Sequence, residues 1–194
     1  MPSPSLELQI RVYGHESAHP ESVAEALGAT YNSKADGSED VAIFVINPNT
    51  GVDEQTTTNW AALDEFQTPR IIVVTNLESG EGDFDDAVLL ANRLFDQVIT
   101  PYLVLHDDAG VPCALISLDT QEITDYSTVP ASVIPSEPEH KTLVSEFVEE
   151  YKSHMAVMGE DSFAAGLLFP AIPMWIEKNI GVDIVEKYLQ EINR

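Results

Sequence analysis

Residues 41 to 84 read VAIFVINPNTGVDEQTTTNWAALDEFQTPRIIVVTNLESGEGDF. Two wholly apolar runs, residues 41–46 and 71–74, flank a stretch in which large apolar side chains recur every three positions from Trp60 to Phe66. A run that is apolar at every position is typical of a strand buried on both faces of a parallel sheet. The three-residue recurrence favours a helix with one buried face between the two strands. This stretch therefore predicts a strand, a helix and a second strand of an α/β domain.

The same alternation continues on both sides of this stretch. Further strands are predicted at residues 6–13, 102–105 and 166–172, and helices at residues 20–28, 53–67, 83–96, 139–158 and 182–192. Residues 106–126 are interpreted as turn-linked antiparallel strands, and the proline-rich residues 128–138 as a connector. We predict a single α/β domain over residues 1–194, with about four parallel strands and an antiparallel hairpin extension.

Composition and charge exclude several classes of protein. The chain has 33 Asp plus Glu against 9 Lys plus Arg, a formal net charge of −24, which argues against a nucleic-acid groove. The apolar share of 44% argues against disorder. Cys113 is the only cysteine, so no disulfide framework or cysteine-based zinc site is expected. No apolar run approaches the roughly 20 residues of a membrane span, and the first residues lack a signal peptide pattern. The sequence predicts a cytoplasmic protein.

Ten residues of the opening stretch fall at the spacings of one protein family: Gly51, Val52, Gln55, Thr56, Trp60, Pro69, Arg70, Ile71, Asp83 and Phe84. The pattern resembles the G domain of translation elongation factor G, from its fourth sheet strand to its guanine-recognition loop. A second match runs from Lys178 to Val182, which is similar to the Lys-Asn-x-Gly-Val segment before the last helix of that domain. The resemblance covers roughly residues 41–192 and, more faintly, 6–27. It implies a P-loop NTPase-like three-layer fold.

The phosphate-binding loop that the resemblance implies is altered at each functional position. Aligned from Gly14, the loop reads GHESAHPES, which places His19 at a glycine, Pro20 at the lysine and Glu21 at the magnesium-binding hydroxyl. Proline lacks a backbone donor, and a glutamate adds negative charge beside the place of the phosphates. About 13 residues separate the first helix from the strand at 41–46, so the family's magnesium contacts and water-positioning histidine have no counterpart. We predict that the domain does not hydrolyse GTP.

The base-recognition segments implied by the resemblance are altered too. Asn-Lys-x-Asp is replaced by the sequence from Thr75 to Glu78, and Trp175 stands where the family has the small residues that back the guanine. We predict that Trp175 fills the space of the base. The residues of this vestigial nucleotide pocket are Gly14, His19, Pro20, Glu21, Thr75, Asn76, Glu78, Trp175 and Lys178.

The predicted function is therefore that of a non-catalytic pseudoGTPase, a protein-interaction domain without a cofactor. Its expected partner is a protein with a basic surface, and neither nucleic acid nor a membrane is expected. The chain ends at Arg194, where the second domain of the family would begin, so domains two to five are expected to be absent. Loss of the family's intervening strands would leave the first strand at a sheet edge, which predicts a homodimer across that edge.

Two alternatives remain open. The string from His15 through Glu16 to His19 matches the H-E-x-x-H signature of zinc hydrolases, in which two histidines on one helical face bind the metal. Gly14 before it and Pro20 after it disfavour an unbroken helix there. The second alternative is weak GTP or GDP binding without hydrolysis, through Glu78 and Lys178.

Several other residues have a structural and a functional interpretation. Cys113 lies among apolar residues, which favours an inert thiol over a nucleophile. His106, followed by two aspartates, fits a solvated turn better than a metal ligand. A group of large apolar residues near the last strand could form either a docking patch or a buried strand and turn: Phe163, Leu167, Leu168, Phe169, Met174 and Trp175.

Overall fold

The computed structural model describes residues 7–79 and 81–192. Its strands are β1 (Ile10–Gly14), β2 (Thr30–Tyr31), β3 (Val41–Ile46), β4 (Arg70–Val74), β5 (Val98–Ile99), β6 (Tyr102–His106), β7 (Pro112–Ser117), β8 (Glu122–Asp125), β9 (Ser132–Pro135) and β10 (Phe169–Pro173). Its helices are α1 (Pro20–Leu27), α2 (Glu54–Ala62), α3 (Phe84–Leu94), α4 (Pro138–Met158) and α5 (Val182–Ile192). The order of strands and helices confirms the predicted α/β class. Leu6, where the predicted first strand begins, lies outside the described residues.

A six-stranded sheet in the order β2-β1-β3-β4-β10-β5 forms the centre of the fold, and its strand pairs are parallel. The two apolar runs of the opening stretch form the adjacent strands β3 and β4, with Ile43 opposite Ile71 and Val45 opposite Val73. The prediction of about four parallel strands was too low. The additional strands β2 and β5 each have two residues, which is too short to produce a periodic signal in the sequence.

The prediction that the first strand forms an exposed edge was wrong. β1 pairs with β3 on one side and with β2 on the other, where Arg11 and Val12 lie opposite Thr30 and Tyr31. The short strand β2 covers this edge because the chain after α1 turns back beside β1. The argument for a homodimer across β1 therefore loses its structural basis.

The antiparallel extension is a separate sheet in the order β6-β7-β8-β9. β6 agrees with the strand predicted at residues 102–105, and β7 and β8 lie in the segment predicted to form turn-linked strands. β9 was not predicted, because residues 128–138 were interpreted as a connector on the basis of their prolines. β9 pairs with β8, with Val133 opposite Thr124 and Ile134 opposite Ile123. Within the described ranges, no helix is long and apolar enough to cross a membrane.

Side chains of the parallel sheet alternate between two apolar layers. Val41, Ile43 and Val45 of β3 face a cluster that contains residues of α1 and α5. The alternate residues of β3, Ala42 and Phe44 among them, face a second cluster with residues of α2 and α3. The sheet therefore has helices on both faces, which is the three-layer arrangement expected of the fold. The antiparallel sheet and α4 share a third, smaller cluster.

Two expectations about burial have different outcomes. Trp60 is buried, as the helical spacing predicts, but Phe66 is 55% exposed because α2 ends at Ala62 and Phe66 lies in the turn beyond it. Of the possible docking patch near the last strand, Leu167 is the exposed member. The buried members are Phe163, Leu168, Phe169, Met174 and Trp175. That group is therefore part of the core.

Candidate functional site

The loop between β1 and α1 is the segment that the predicted resemblance aligns with a phosphate-binding loop. After Gly14, residues Glu16–Ala18 form one turn of 3-10 helix, and α1 begins at Pro20. A Cβ on Gly14 would lie 2.7 Å from the carbonyl oxygen of Val45, so the loop leaves the sheet in close contact with β3. His19 has a left-handed backbone with φ of 57°, which favours glycine. His19, which the predicted alignment places at a glycine, therefore has a backbone conformation that is typical of glycine.

The backbone amides of this loop donate to acceptors inside the loop itself. Ser17 N donates to His15 Nδ1 at 3.2 Å, Ala18 N to the His15 carbonyl at 2.9 Å and His19 N to the Glu16 carbonyl at 3.0 Å. Pro20 has no backbone donor. A phosphate-binding loop works by directing several free amides toward the phosphate oxygens. In this loop the amides of residues 17 to 19 are already engaged.

Two buried polar side chains fix the loop from outside. Asn47, which follows β3, donates from Nδ2 to the Ser17 carbonyl at 2.8 Å. Thr75, which follows β4, donates from Oγ1 to the Ala18 carbonyl at 2.7 Å. Both side chains are almost fully buried, so these hydrogen bonds are shielded from water. They hold the carbonyl groups of the loop against the ends of the central strands.

A small cavity, here called the strand-end pocket, opens next to the loop with a volume of about 210 Å³. Five members of the predicted nucleotide set line it: His19, Thr75, Asn76, Glu78 and Trp175. The other lining residues are Ser22, Met174, Ile176 and Glu177. The lining therefore includes two glutamates but no lysine or arginine among the described residues.

Four members of the predicted set lie elsewhere. Gly14 lines a neighbouring depression that also contains His15 and Glu16. Pro20 is buried at the start of α1, whereas Glu21 is exposed on that helix. Lys178 lines a neighbouring cleft instead, and its Nζ lies 3.4 Å from the Pro112 carbonyl. Glu78 and Trp175 line that cleft as well, so Lys178 shares a cleft with Glu78 but lies outside the strand-end pocket.

Trp175 forms the wall between this pocket and the core. Its side chain is 6% exposed and packs in the cluster on the α1 and α5 side of the sheet. Its Nε1 is buried without a hydrogen-bond partner among the described residues. Trp175 therefore contributes packing rather than a directed polar contact. Whether it fills the place of a guanine stays a prediction.

Comparison with known proteins supports the fold described above. No family model matches the chain. Two curated proteins named elongation factor G-like protein, from two strains of Mycobacterium tuberculosis, are each 24% identical over 161 residues, which is 73% of this chain and 22% of theirs. A crystal structure of a protein from Thermus thermophilus matches the fold with a TM-score of 0.64, 20% identity and coverage of 80% of this chain and 27% of that one. The predicted resemblance to an elongation factor G-like G domain is confirmed.

The chain spans about a fifth of the length of the curated relatives it matches. The residues that carry the resemblance include several with structural roles. Trp60 is buried, its ring stacks on Phe95, and the Arg70 guanidinium lies 4.4 Å from its centroid. Arg70 is 2% exposed and pairs with Asp64 at 2.6 Å. The shared pattern is therefore accounted for in large part by packing around α2 and β4.

The H-E-x-x-H string does not form a regular helix. His15 is extended, with ψ of 148°, and His19 is left-handed, so the two imidazoles share no helical face. His15 Nδ1 also contacts Ser17 Oγ at 2.8 Å. Within the part of the chain that the structure describes, no group of three or more His, Cys, Asp or Glu is placed to hold a metal ion.

Sequence reasoning missed Asn47, which ties down the loop. The available signal was its position directly after a wholly apolar strand, where parallel sheets place their ligand-binding residues. It also missed a cavity lined by Tyr102, Tyr151 and Tyr188, which come from β6, α4 and α5. No local pattern links residues of three separate elements, so the sequence offered no signal for this cavity.

Burial affects the thiol that sequence reasoning considered inert. Burial, with the nearby Asp107 and Asp125 carboxylates, raises the pKa of the Cys113 thiol. A raised pKa leaves less of the reactive thiolate at neutral pH. This is consistent with the interpretation of Cys113 as an inert residue of β7.

Proposed function

We propose that this elongation factor G-like domain neither binds GTP productively nor hydrolyses it, and that it acts by binding a protein with a basic surface. The observation that carries the first part is the hydrogen bonding of the loop at residues 15–19. The amides of residues 17–19 donate to acceptors within the loop, and the carbonyls of Ser17 and Ala18 accept from Asn47 and Thr75. Freeing these amides for a phosphate would break several hydrogen bonds at once, each worth about 1 kcal/mol.

Charge supports the same proposal. A triphosphate would approach a pocket with two glutamates in its lining and Glu21 on the adjoining helix. Without a lysine or magnesium ligand, these like charges oppose binding. The net charge of −24 affects protein partners in the same way, since the negative field of the protein attracts basic surfaces and repels acidic ones.

Thermal unfolding during a GTP or GDP titration tests the loss of nucleotide binding. A ligand that binds the native state must raise the unfolding midpoint. Nucleotide salts also raise ionic strength, which by itself screens the repulsion within an acidic chain. The control is therefore NaCl at matched ionic strength with the same magnesium concentration. We expect nucleotide and control midpoints to coincide, and a clear nucleotide-specific increase would contradict the proposal.

Affinity capture from the source cell tests the partner. The captured protein is expected to carry a basic surface and to be released as ionic strength rises, because contacts between exposed charges are screened by salt. A partner that is acidic, or whose binding does not respond to salt, would contradict the charge argument while leaving the nucleotide argument intact.

A further inference from the structure

A second cavity, the tyrosine pocket, has a volume of about 350 Å³ and lies between the antiparallel sheet, α4 and α5. Tyr102, Tyr151 and Tyr188 line it, and Leu168 and Ile184 contribute to its apolar floor. Half of the six tyrosines of the chain therefore meet at one opening. Such a combination of aromatic rings with a few polar groups is typical of a small-ligand site.

The hydroxyl groups in this pocket are not all used by the fold. Burial raises the pKa of Tyr102, and the nearby Ser117 hydroxyl offsets part of this rise. Within the described ranges, Tyr151 and Tyr188 have no hydrogen bond from their hydroxyl groups. Neither oxygen is among the fully enclosed unpaired atoms, so both remain accessible from the cavity. A bound ligand can therefore hydrogen-bond to two phenols without breaking any contact of the protein.

The charge around the opening is negative. The lining contains the carboxylates of Asp119, Glu122, Glu160 and Glu191 and one cationic side chain, Lys187. Burial, followed by Asp119, Tyr102 and Glu191, raises the pKa of Tyr151 to about 12. The same kinds of groups raise the pKa of Tyr188, with burial the largest cause. The carboxylates of Asp119 and Glu191 contribute to these shifts through a negative potential, and that potential favours a cation at the same place.

We propose that the tyrosine pocket binds an organic cation of the guanidinium or alkylammonium type. Such a cation has an apolar stem that packs against the floor and aromatic rings, and N–H groups that donate to phenol and carboxylate oxygens. The cation can be a free small molecule or the side chain of a basic protein. Binding at this pocket does not depend on the proposed loss of GTP binding, because the pocket shares no lining residue with the strand-end pocket.

L-Argininamide is the probe, titrated at low ionic strength into protein with ¹³C-labelled tyrosine rings and followed by NMR. We expect saturable shifts at Tyr102, Tyr151 and Tyr188, and none at Tyr13, which is buried on the other face of the sheet. L-Citrullinamide, in which a neutral urea group replaces the guanidinium, is expected not to bind. Equal binding of the two probes would overturn the proposal of a cation site.

Two substitutions with opposite expected effects distinguish binding at this pocket from general electrostatic attraction to an acidic protein. Asp119→Asn is expected to weaken argininamide binding about threefold to tenfold, and Lys187→Gln to strengthen it by a similar factor, as exposed charges act through a screened medium.

The matched controls are Asp108→Asn, in the turn at the other end of β7, and Lys141→Gln, near the start of α4. Neither control residue lines the pocket. If the controls change the affinity as much as Asp119→Asn and Lys187→Gln do, the attraction is a property of net charge and the proposal is overturned.

A capped Gly-Ser-Arg-Ser-Gly peptide distinguishes the two sources of the cation. Peptide binding at the same tyrosines supports an arginine side chain of a protein, whereas binding of argininamide with exclusion of the peptide supports a free cation. Failure of both probes to shift these tyrosines overturns the site. None of these outcomes depends on whether the domain binds GTP.

Discussion

The strand-end pocket and the tyrosine pocket differ in how their polar groups are engaged. Around the first, Thr75 and the loop amides form hydrogen bonds inside the protein, and the cavity has a volume of about 210 Å³. Around the second, the hydroxyls of Tyr151 and Tyr188 remain open to a cavity of about 350 Å³. The comparison teaches that two pockets of one fold can differ in whether their polar groups are already engaged by hydrogen bonds within the protein.

The largest expected effect that tests this comparison is that of Trp175→Ala. If Trp175 closes the strand-end pocket by packing, its removal leaves a cavity and should lower the free energy of unfolding by about 3–5 kcal/mol. Urea-induced unfolding measures this. Trp175→Phe is the control, since it keeps an aromatic ring and loses an N–H that has no partner among the described residues. A loss below about 1 kcal/mol for Trp175→Ala would show that Trp175 does not fill this space.

Thr75→Val should have the next largest effect. The substitution keeps the shape of the side chain but removes the hydroxyl that donates to the Ala18 carbonyl. Leaving that buried acceptor unpaired should cost about 1–2 kcal/mol of unfolding free energy. Thr75→Ser, which retains the hydroxyl, is expected to lose less. If Thr75→Val and Thr75→Ser were equally stable, the hydrogen bond would not be what fixes the loop.

High pH should destabilise the surroundings of the tyrosine pocket. The pKa of Tyr151 is about 12 in the folded protein and near 10 in the unfolded chain, so the unfolded chain releases its proton first as pH rises. The contribution of this tyrosine is complete below pH 10 and is lost as pH rises toward 12. Urea unfolding from pH 9 to 11.5 should show a smaller loss of stability for Tyr151→Phe than for the unchanged protein. Parallel curves would contradict the raised pKa.

The smallest expected effect on stability is that of Tyr188→Phe. Because the Tyr188 hydroxyl forms no hydrogen bond within the described residues, its removal should change the free energy of unfolding by less than about 0.5 kcal/mol. The same variant should bind argininamide more weakly. A loss of more than about 1 kcal/mol in urea unfolding would assign the hydroxyl to the fold rather than to a ligand.

The strands that the sequence predicts well are those buried on both faces. β3 agrees with its predicted bounds because all six of its residues are apolar. A short run of this kind is typical of a strand that is buried on both faces. Shorter or more polar elements were missed. β2 has two residues, and β9 contains a proline and is mostly exposed, so neither produces a distinctive pattern.

Residues of the candidate site could be predicted only at positions that align with the family pattern. Five residues of the predicted set line one pocket in the structure, because they follow strands that end at the same edge of the sheet: His19, Thr75, Asn76, Glu78 and Trp175. Lys178 was assigned to that pocket by the same reasoning and lies in a neighbouring cleft instead. Its side chain is long and its direction depends on the hairpin of β6 and β7, which the pattern does not describe.

The sequence by itself determined the α/β class and the two central strands, and it places Pro20 and Glu21 where the resemblance predicts a phosphate-binding lysine and a hydroxyl. These features depend on side-chain type and local spacing, which the chain displays directly. Only the tertiary structure decided that the loop amides are engaged and that Thr75 holds a carbonyl 57 positions away along the chain. Hydrogen-bond partners and cavity walls come from segments far apart in sequence, and their meeting is fixed by the packing of the whole fold.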